Sequence, residues 1–309
     1  MRRKVVIWGM GEGYERILNG VHFEILKGNI SVEAIIVRPQ DKYCLKKDGF
    51  QIITKSELTA VNFDYIIVSA TAFFNEICSE AMNLGYDRKI IINGDVFLLP
   101  LFDFSRYASL IENPVTILSD DCWSGQVYNR LKLPFSTPCI NIYWNRVEFA
   151  KFIQDPLFYL NSELKLSPNS SGEMDFNRHK PPIGRLGDDG KYVDMVFVHS
   201  LTFDLAKQEW DRRKKRINEN NLFVKMGFVN NKDYEEEIPN FLNVFNSINY
   251  KKILFYYGCE DDINGMFITN RMKKDFIGIA HYNEYCRENY QYDLDILKLL
   301  TGDEDYMRI

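Results

Sequence analysis

The sequence predicts an α/β protein: an open parallel sheet at the N-terminus, then a second, larger α/β domain. Three observations carry this. Residues 4–14, KVVIWGMGEGY, read as a short apolar strand, a glycine turn and the first turn of a helix. Through the first third of the chain, β-branched runs alternate with helical stretches, the pattern of parallel strands covered by helices. Beyond Asn113-Pro114 strand and helix signals continue with a less regular rhythm, which places domains at 1–113 and 114–309.

The elements follow in order. A strand over 5–8 leads through the glycines into a helix whose Ile17, Leu18, Val21, Ile25 and Leu26 share one face. Strands are expected over 32–37, 64–70 and 89–92, with a helix over 74–84 that stops at Gly85 and another over 101–111. In the second domain, strands are expected over 115–118, 139–143, 193–198, 222–226, 252–257 and 276–280. Helices are expected over 146–153, 203–220, 234–245 and 293–300. Residues 166–180 are polar and rich in Pro, Ser, Asn and Gly, and read as a mobile surface loop.

A glycine turn between strand and helix sets backbone N–H groups against a phosphate, so Gly9, Gly11 and Gly13 are the candidate cofactor-binding residues. Two positions depart from an NAD site. The third glycine of G-x-G-x-x-G falls on Tyr14, whose side chain is expected to obstruct helix packing or the pyrophosphate. The second strand ends in Arg38-Pro39 and not in an acid for a ribose hydroxyl. An NAD-dependent oxidoreductase therefore ranks last among the readings.

Composition excludes other classes. The chain has 309 residues, 46% hydrophobic and 14% aromatic, enough for two cores. A net charge of −5 argues against nucleic-acid binding, which needs a broad basic surface. No apolar run reaches the ~18 residues of a membrane span, and the basic start MRRKVV reads as a strand and not a signal peptide. The expectation is a soluble cytoplasmic protein without a transmembrane segment. Six scattered cysteines, with no C-x-x-C, read as free thiols and not a zinc site.

Chemistry is sought at strand ends, because ligands of open α/β sheets bind there. Ser119-Asp120-Asp121-Cys122-Trp123 follows the strand over 115–118. The paired carboxylates of Asp120 and Asp121 suit a divalent cation, Mg or Mn, and catalysis; the plainer use is to cap the next helix. Ser119, Cys122 and Trp123 flank the pair as candidate substrate contacts. His199, at the end of another strand, is the candidate acid–base among four histidines, with His281 second. His22 reads as structural, and His179 falls in the polar loop. In WDRRKKRINENN from Trp210, five consecutive cations spread around the helix. Only one or two, such as Arg212 and Arg216, are then expected to face a phosphate. The glycine-rich 182–190 stretch reads as a tight turn or hairpin carrying Asp188 and Asp189.

With the stretch 119–125, PIGRLGD from Pro182 and WDRRKKRINENNLF from Trp210, the sequence resembles the bacterial domain-of-unknown-function family 1919. Members are often labelled exopolysaccharide or capsule biosynthesis proteins. The first third is similar to small Rossmann-like domains attached to sugar-modifying and sugar-transferring enzymes, which share its W-G-x-G opening. The resemblance implies surface-polysaccharide assembly. The first hypothesis is a transferase acting on a nucleotide-activated sugar or a polysaccharide precursor. In it Asp120 and Asp121 hold a cation or the acceptor, His199 is the base, and Arg212 or Arg216 faces the diphosphate. The alternative is a non-catalytic nucleotide- or partner-binding module that docks through Trp210 and the basic helix. A homo-oligomer is open to either.

Overall fold

The computed structural model describes residues 2–170, 180–188, 190–229, 238–257, 266–268 and 294–306. It divides into two compact units, Met1–Asn113 with Arg130–Lys132, and Pro114–Asn129 with Leu133–Ile309. Both are α/β, with mostly parallel strands.

The first unit contains β1 (Arg3–Trp8), α1 (Glu12–Leu26), β2 (Ile30–Val37), β3 (Lys46–Lys47), β4 (Phe50–Thr54), β5 (Tyr65–Val68), α2 (Phe74–Asn83), β6 (Ile91–Asn93) and α3 (Phe104–Glu112). Its sheet runs β3-β4-β2-β1-β5-β6, parallel except for the β3–β4 pair. The chain works outward from β1 to β4 and then returns to the other side of β1. That reversal opens a crevice at the carboxyl edge of the sheet. Val5, Val6 and Ile7 are wholly buried, as a strand covered on both faces requires.

The glycine turn is built for close approach. A Cβ at Gly13 would lie 2.1 Å from the Ser69 carbonyl oxygen, and one at Gly20 would lie 2.3 Å from that of Phe97. Only glycine lets α1 sit so near its neighbours. Gly13 thus performs the packing assigned to a third glycine, and the expected obstruction by Tyr14 does not occur. The Tyr14 ring is fully buried, and its hydroxyl donates to Asp48 Oδ2 at 2.9 Å. Burial, then this hydrogen bond, raises the hydroxyl's pKa. Leu26, expected on the buried face of α1, is 84% exposed; Glu24 is buried instead. Its carboxylate accepts from Lys27, Asn29 and the Phe104 backbone N–H, which compensates its burial.

The second unit contains β7 (Thr116–Ser119), α4 (Trp123–Arg130), α5 (Arg146–Gln154), α6 (Pro156–Asn161), β8 (Lys165–Leu166), β9 (Ile183–Asp188), β10 (Lys191–Val196), α7 (Phe203–Lys214), β11 (Leu222–Val229), α8 (Ile238–Ser247), β12 (Lys251–Tyr257), β13 (Met266–Ile268) and α9 (Ile296–Thr301). A parallel sheet runs β13-β12-β11-β7, and an antiparallel one runs β10-β9-β8. Their shared core includes Trp144, Phe149, Phe152, Trp210, Val224 and Met226.

Several expectations need correction. Residues 139–143 form no strand: Asn141 takes φ 60°, and only Tyr143 bridges to Val196. α7 ends at Lys214 and does not reach residue 220. Asn218 turns back, its backbone N–H donating to Thr116 Oγ1 and its amide to the Pro114 carbonyl, both at 2.8 Å. β4 and α6 were not foreseen. The 182–190 stretch supplies a full strand, β9, paired with β10. The expected strand over 276–280, most of the 166–180 loop and the expected start of a helix at 234 lie outside the described residues, as do His179, Asp189, Cys259, His281 and Cys286.

Candidate functional site

Asp120 and Asp121 immediately follow β7, and β11 runs parallel beside it with Lys225 in register with Ser119. That pairing carries Lys225, the lone charge in the run LFVKMGFV, to the two carboxylates. Its ammonium donates to Asp120 Oδ1 at 3.0 Å and also to Asp121 Oδ2. Asp120 Oδ2 accepts from the Gly227 N–H at 2.7 Å, and Asp121 Oδ1 accepts from the Trp123 N–H at 2.8 Å, at the start of α4. Lys225 is wholly buried, with Asp120 and Asp121 at 8% and 4% exposure. Three buried charges are tolerable only because each is paired and hydrogen-bonded. A Cβ at Gly227 would meet Lys225 Nζ at 3.1 Å and Asp120 Oδ2 at 3.3 Å, so a side chain there would crowd the ion pair.

Electrostatically the two acids differ in their settings. Burial pushes Asp120 up to about 6; Lys225 opposes the rise and Asp121 adds to it. The rise moves Asp120 toward the range of a proton acceptor. Asp121 combines the capping role with the ion pair.

The structure fills with an ammonium the place that the sequence reading gave to Mg or Mn. Lys225 bonds to both acids and offsets one of their two charges. Among the described residues no group of three or more His, Cys, Asp or Glu side chains converges as a metal site.

The other candidates are placed as follows. Ser119 is buried; its hydroxyl donates to the Asp121 carbonyl at 2.6 Å and accepts from the Ser124 N–H at 3.3 Å, so it holds the turn. Trp123 is 3% exposed and stacked on Phe223 at 6.2 Å, a core residue and not a substrate platform. Cys122 is partly buried, and burial and Asp121 raise its thiol pKa, which disfavours a nucleophilic thiolate. His199 sits on an exposed turn three residues beyond β10. The groups bonded to the carboxylates come from β11 and the start of α4, not from it. Arg212 and Arg216 are exposed at the end of α7 and just past it. Arg213 between them is the buried one: Nη1 donates to the Ile140 carbonyl at 2.7 Å, and it pairs with Glu209. Trp210 is wholly buried, edge-on to Phe197, so it cannot present a docking face. Arg185 of the PIGRLGD stretch is used in a bidentate pair with Asp194 across β9 and β10.

Sequence reasoning missed Lys225. The available signal was a lysine inside a strand otherwise apolar enough to be buried on both faces, which demands an opposite charge.

The first unit holds a separate feature. A cavity of about 720 Å³ lies at the ends of β1 and β2, bounded by Gly9, Met10, Gly11 and by residues of α2. Gly9 takes φ 112°, and a Cβ at Gly11 would meet nothing within 4 Å. Gly9 and Gly11 border this space, whereas Gly13 packs on Ser69 and does not line it. Asp41, on the turn after β2, lines it together with Arg38, whose Nε donates to Asp41 Oδ2 at 2.7 Å.

Comparison with known proteins places both units. Residues 93–301 match the family model described as Domain of unknown function (DUF1919). Residues 1–92 match one described as C2185-like, N-terminal. An uncharacterized protein of Haemophilus influenzae (strain ATCC 51907 / DSM 11121 / KW20 / Rd) is 26% identical over 117 residues, which cover 38% of this chain and 51% of that protein. The chain thus spans about half the length of that relative.

Proposed function

The chain belongs to the DUF1919 family, and on that premise we propose that it is a transferase of surface-polysaccharide assembly, acting on a nucleotide-activated sugar or a polysaccharide precursor. The observation that carries this reading is the buried Asp120–Lys225–Asp121 cluster at the carboxyl edge of the parallel strands β7 and β11, inside the region the family shares. Strand ends of open α/β sheets are where ligands and catalytic groups gather.

In this reading Asp120 takes the proton of an acceptor hydroxyl. The acceptor oxygen forms its bond to the anomeric carbon, and the bond from that carbon to the diphosphate breaks, its electrons leaving with the diphosphate. Lys225 holds Asp120 in place and sets its charge. Arg212 and Arg216 serve as phosphate contacts and His199 as a second base. No helix among the described residues is long and apolar enough to cross a membrane.

The test is release of nucleoside diphosphate from a panel of nucleotide sugars, with acceptor glycans present. Wild-type protein should turn over at least one donor without added metal. Asp120→Asn should lower turnover by about 10²-fold or more, the usual scale for a lost general base, with the fold retained. Turnover unchanged in that variant would refute the assignment.

One observation favours a second reading. Because Lys225 bonds to both carboxylates from within, the cluster also suits a structural ion triad, with the cavity of the first unit as the ligand site of a non-catalytic binding module. No turnover of any donor, together with ligand binding by the first unit, would select it.

A further inference from the structure

The cavity of the first unit has the size of a small-molecule site, and its lining argues for one class of ligand. Its inner wall is apolar, formed by Trp8, Ile36, Val37 and Ile77. Two aromatic rings, Phe73 and Tyr43, line it while remaining 58% and 76% exposed. Exposed aromatics beside a concavity are stacking surfaces for a flat heterocycle. Gly11 presents bare backbone at the start of α1, which has no side-chain cap.

The charges are arranged against a diphosphate. Among the described residues of the lining the only cation is Arg38, and its Nε is engaged by Asp41 at 2.7 Å. Asp41, Glu76 and Glu80 supply three carboxylates; of these Glu80 has Lys55 at 3.7 Å. Glu12 adds an acid to the first turn of α1, where an anion would otherwise be favoured, and Glu15 beside it is paired with Lys47. Carboxylates accept hydrogen bonds from hydroxyl and amino groups and repel phosphate oxygens.

We infer that this cavity binds a nucleoside moiety with no diphosphate attached, its base against Phe73 or Tyr43 and its ribose hydroxyls donating to the carboxylates. A ligand of this class is distinct from the donor of the transferase reading, and the inference does not rest on that reading.

The experiment is calorimetric titration of the full chain with matched pairs: adenosine and ADP, guanosine and GDP, cytidine and CDP, uridine and UDP, at low salt and at 0.15 M. At least one nucleoside should bind about tenfold or more tightly than its own diphosphate, a gap that narrows with salt. Glu76→Gln with Glu80→Gln should shrink the gap by strengthening the diphosphate. Gly11→Val should weaken the nucleoside about tenfold or more with the circular dichroism unchanged, because its side chain enters open space. A diphosphate bound as tightly as its nucleoside would overturn the proposal. So would nucleoside binding that Gly11→Val leaves intact, or no nucleoside binding up to about 1 mM.

Discussion

The two units place opposite solutions at the same position of similar sheets. At the carboxyl edge of β1 and β2 the first unit leaves a cavity, bounded by glycine backbone and, on its rim, by the Arg38–Asp41 pair with Glu76 and Glu80. At the carboxyl edge of β7 and β11 the second unit places three charges and buries them. An empty edge is tolerant, because groups there meet solvent. A filled edge is exacting, because two buried carboxylates depend on one ammonium.

Substitutions should separate the two edges in that order. Lys225→Ala leaves two buried carboxylates without their cation and should cost about 3–5 kcal/mol, read by urea denaturation. A loss under 1 kcal/mol would mean that the second edge is as tolerant as the first. Gly13→Ala drives a methyl into the Ser69 carbonyl and should cost about 1–3 kcal/mol through backbone shift, which marks where the tolerant unit becomes exacting.

The pH dependence sharpens the contrast. The folded protein keeps a proton on Asp120 up to about pH 6, whereas the unfolded chain releases it near its ordinary value of 3.8. This group's stabilising contribution is therefore complete below about pH 4, falls as pH rises toward 6 and is level above, by at most about 1.4 kcal/mol per pH unit. Subtracting the profile of Asp120→Asn from that of the wild type should isolate the slope. A flat difference would mean that Asp120 stays ionised throughout. Tyr14→Phe removes one hydrogen bond to Asp48 and should cost about 1 kcal/mol in the same denaturation experiment. Gly11→Ala, facing open space, should change stability by less than about 0.5 kcal/mol. A larger change would mean that the turn is not open at that point.

The alternation of the first unit was legible because 5–8 and 65–68 are buried on both faces and carry no charge. β4 was not, because its two buried isoleucines sit among polar neighbours. At residues 139–143 burial was mistaken for extension: Cys139 and Ile142 are core residues on an irregular segment. The location of Asp120 and Asp121 could be read from the strand that precedes them. Their partner could not, since Lys225 reaches them through strand pairing between distant parts of the chain. Among the arginines, helical spacing did not single out Arg213 as the buried one, because Ile140, whose carbonyl it meets, precedes it by 73 residues.

That distance has a consequence for how the chain is made. Asp120 leaves the ribosome 105 residues before Lys225, which at about 5–20 residues per second is an interval of about 5–20 s. During that time the first strand of the second sheet lacks its neighbour, and its two acids have water as their only company. The hydrophobic run of β7 must wait beside them, exposed to whatever else in the cell seeks an unpaired strand. Protein quality control therefore meets this molecule at a defined stage of its synthesis, after the glycine turn and before the lysine.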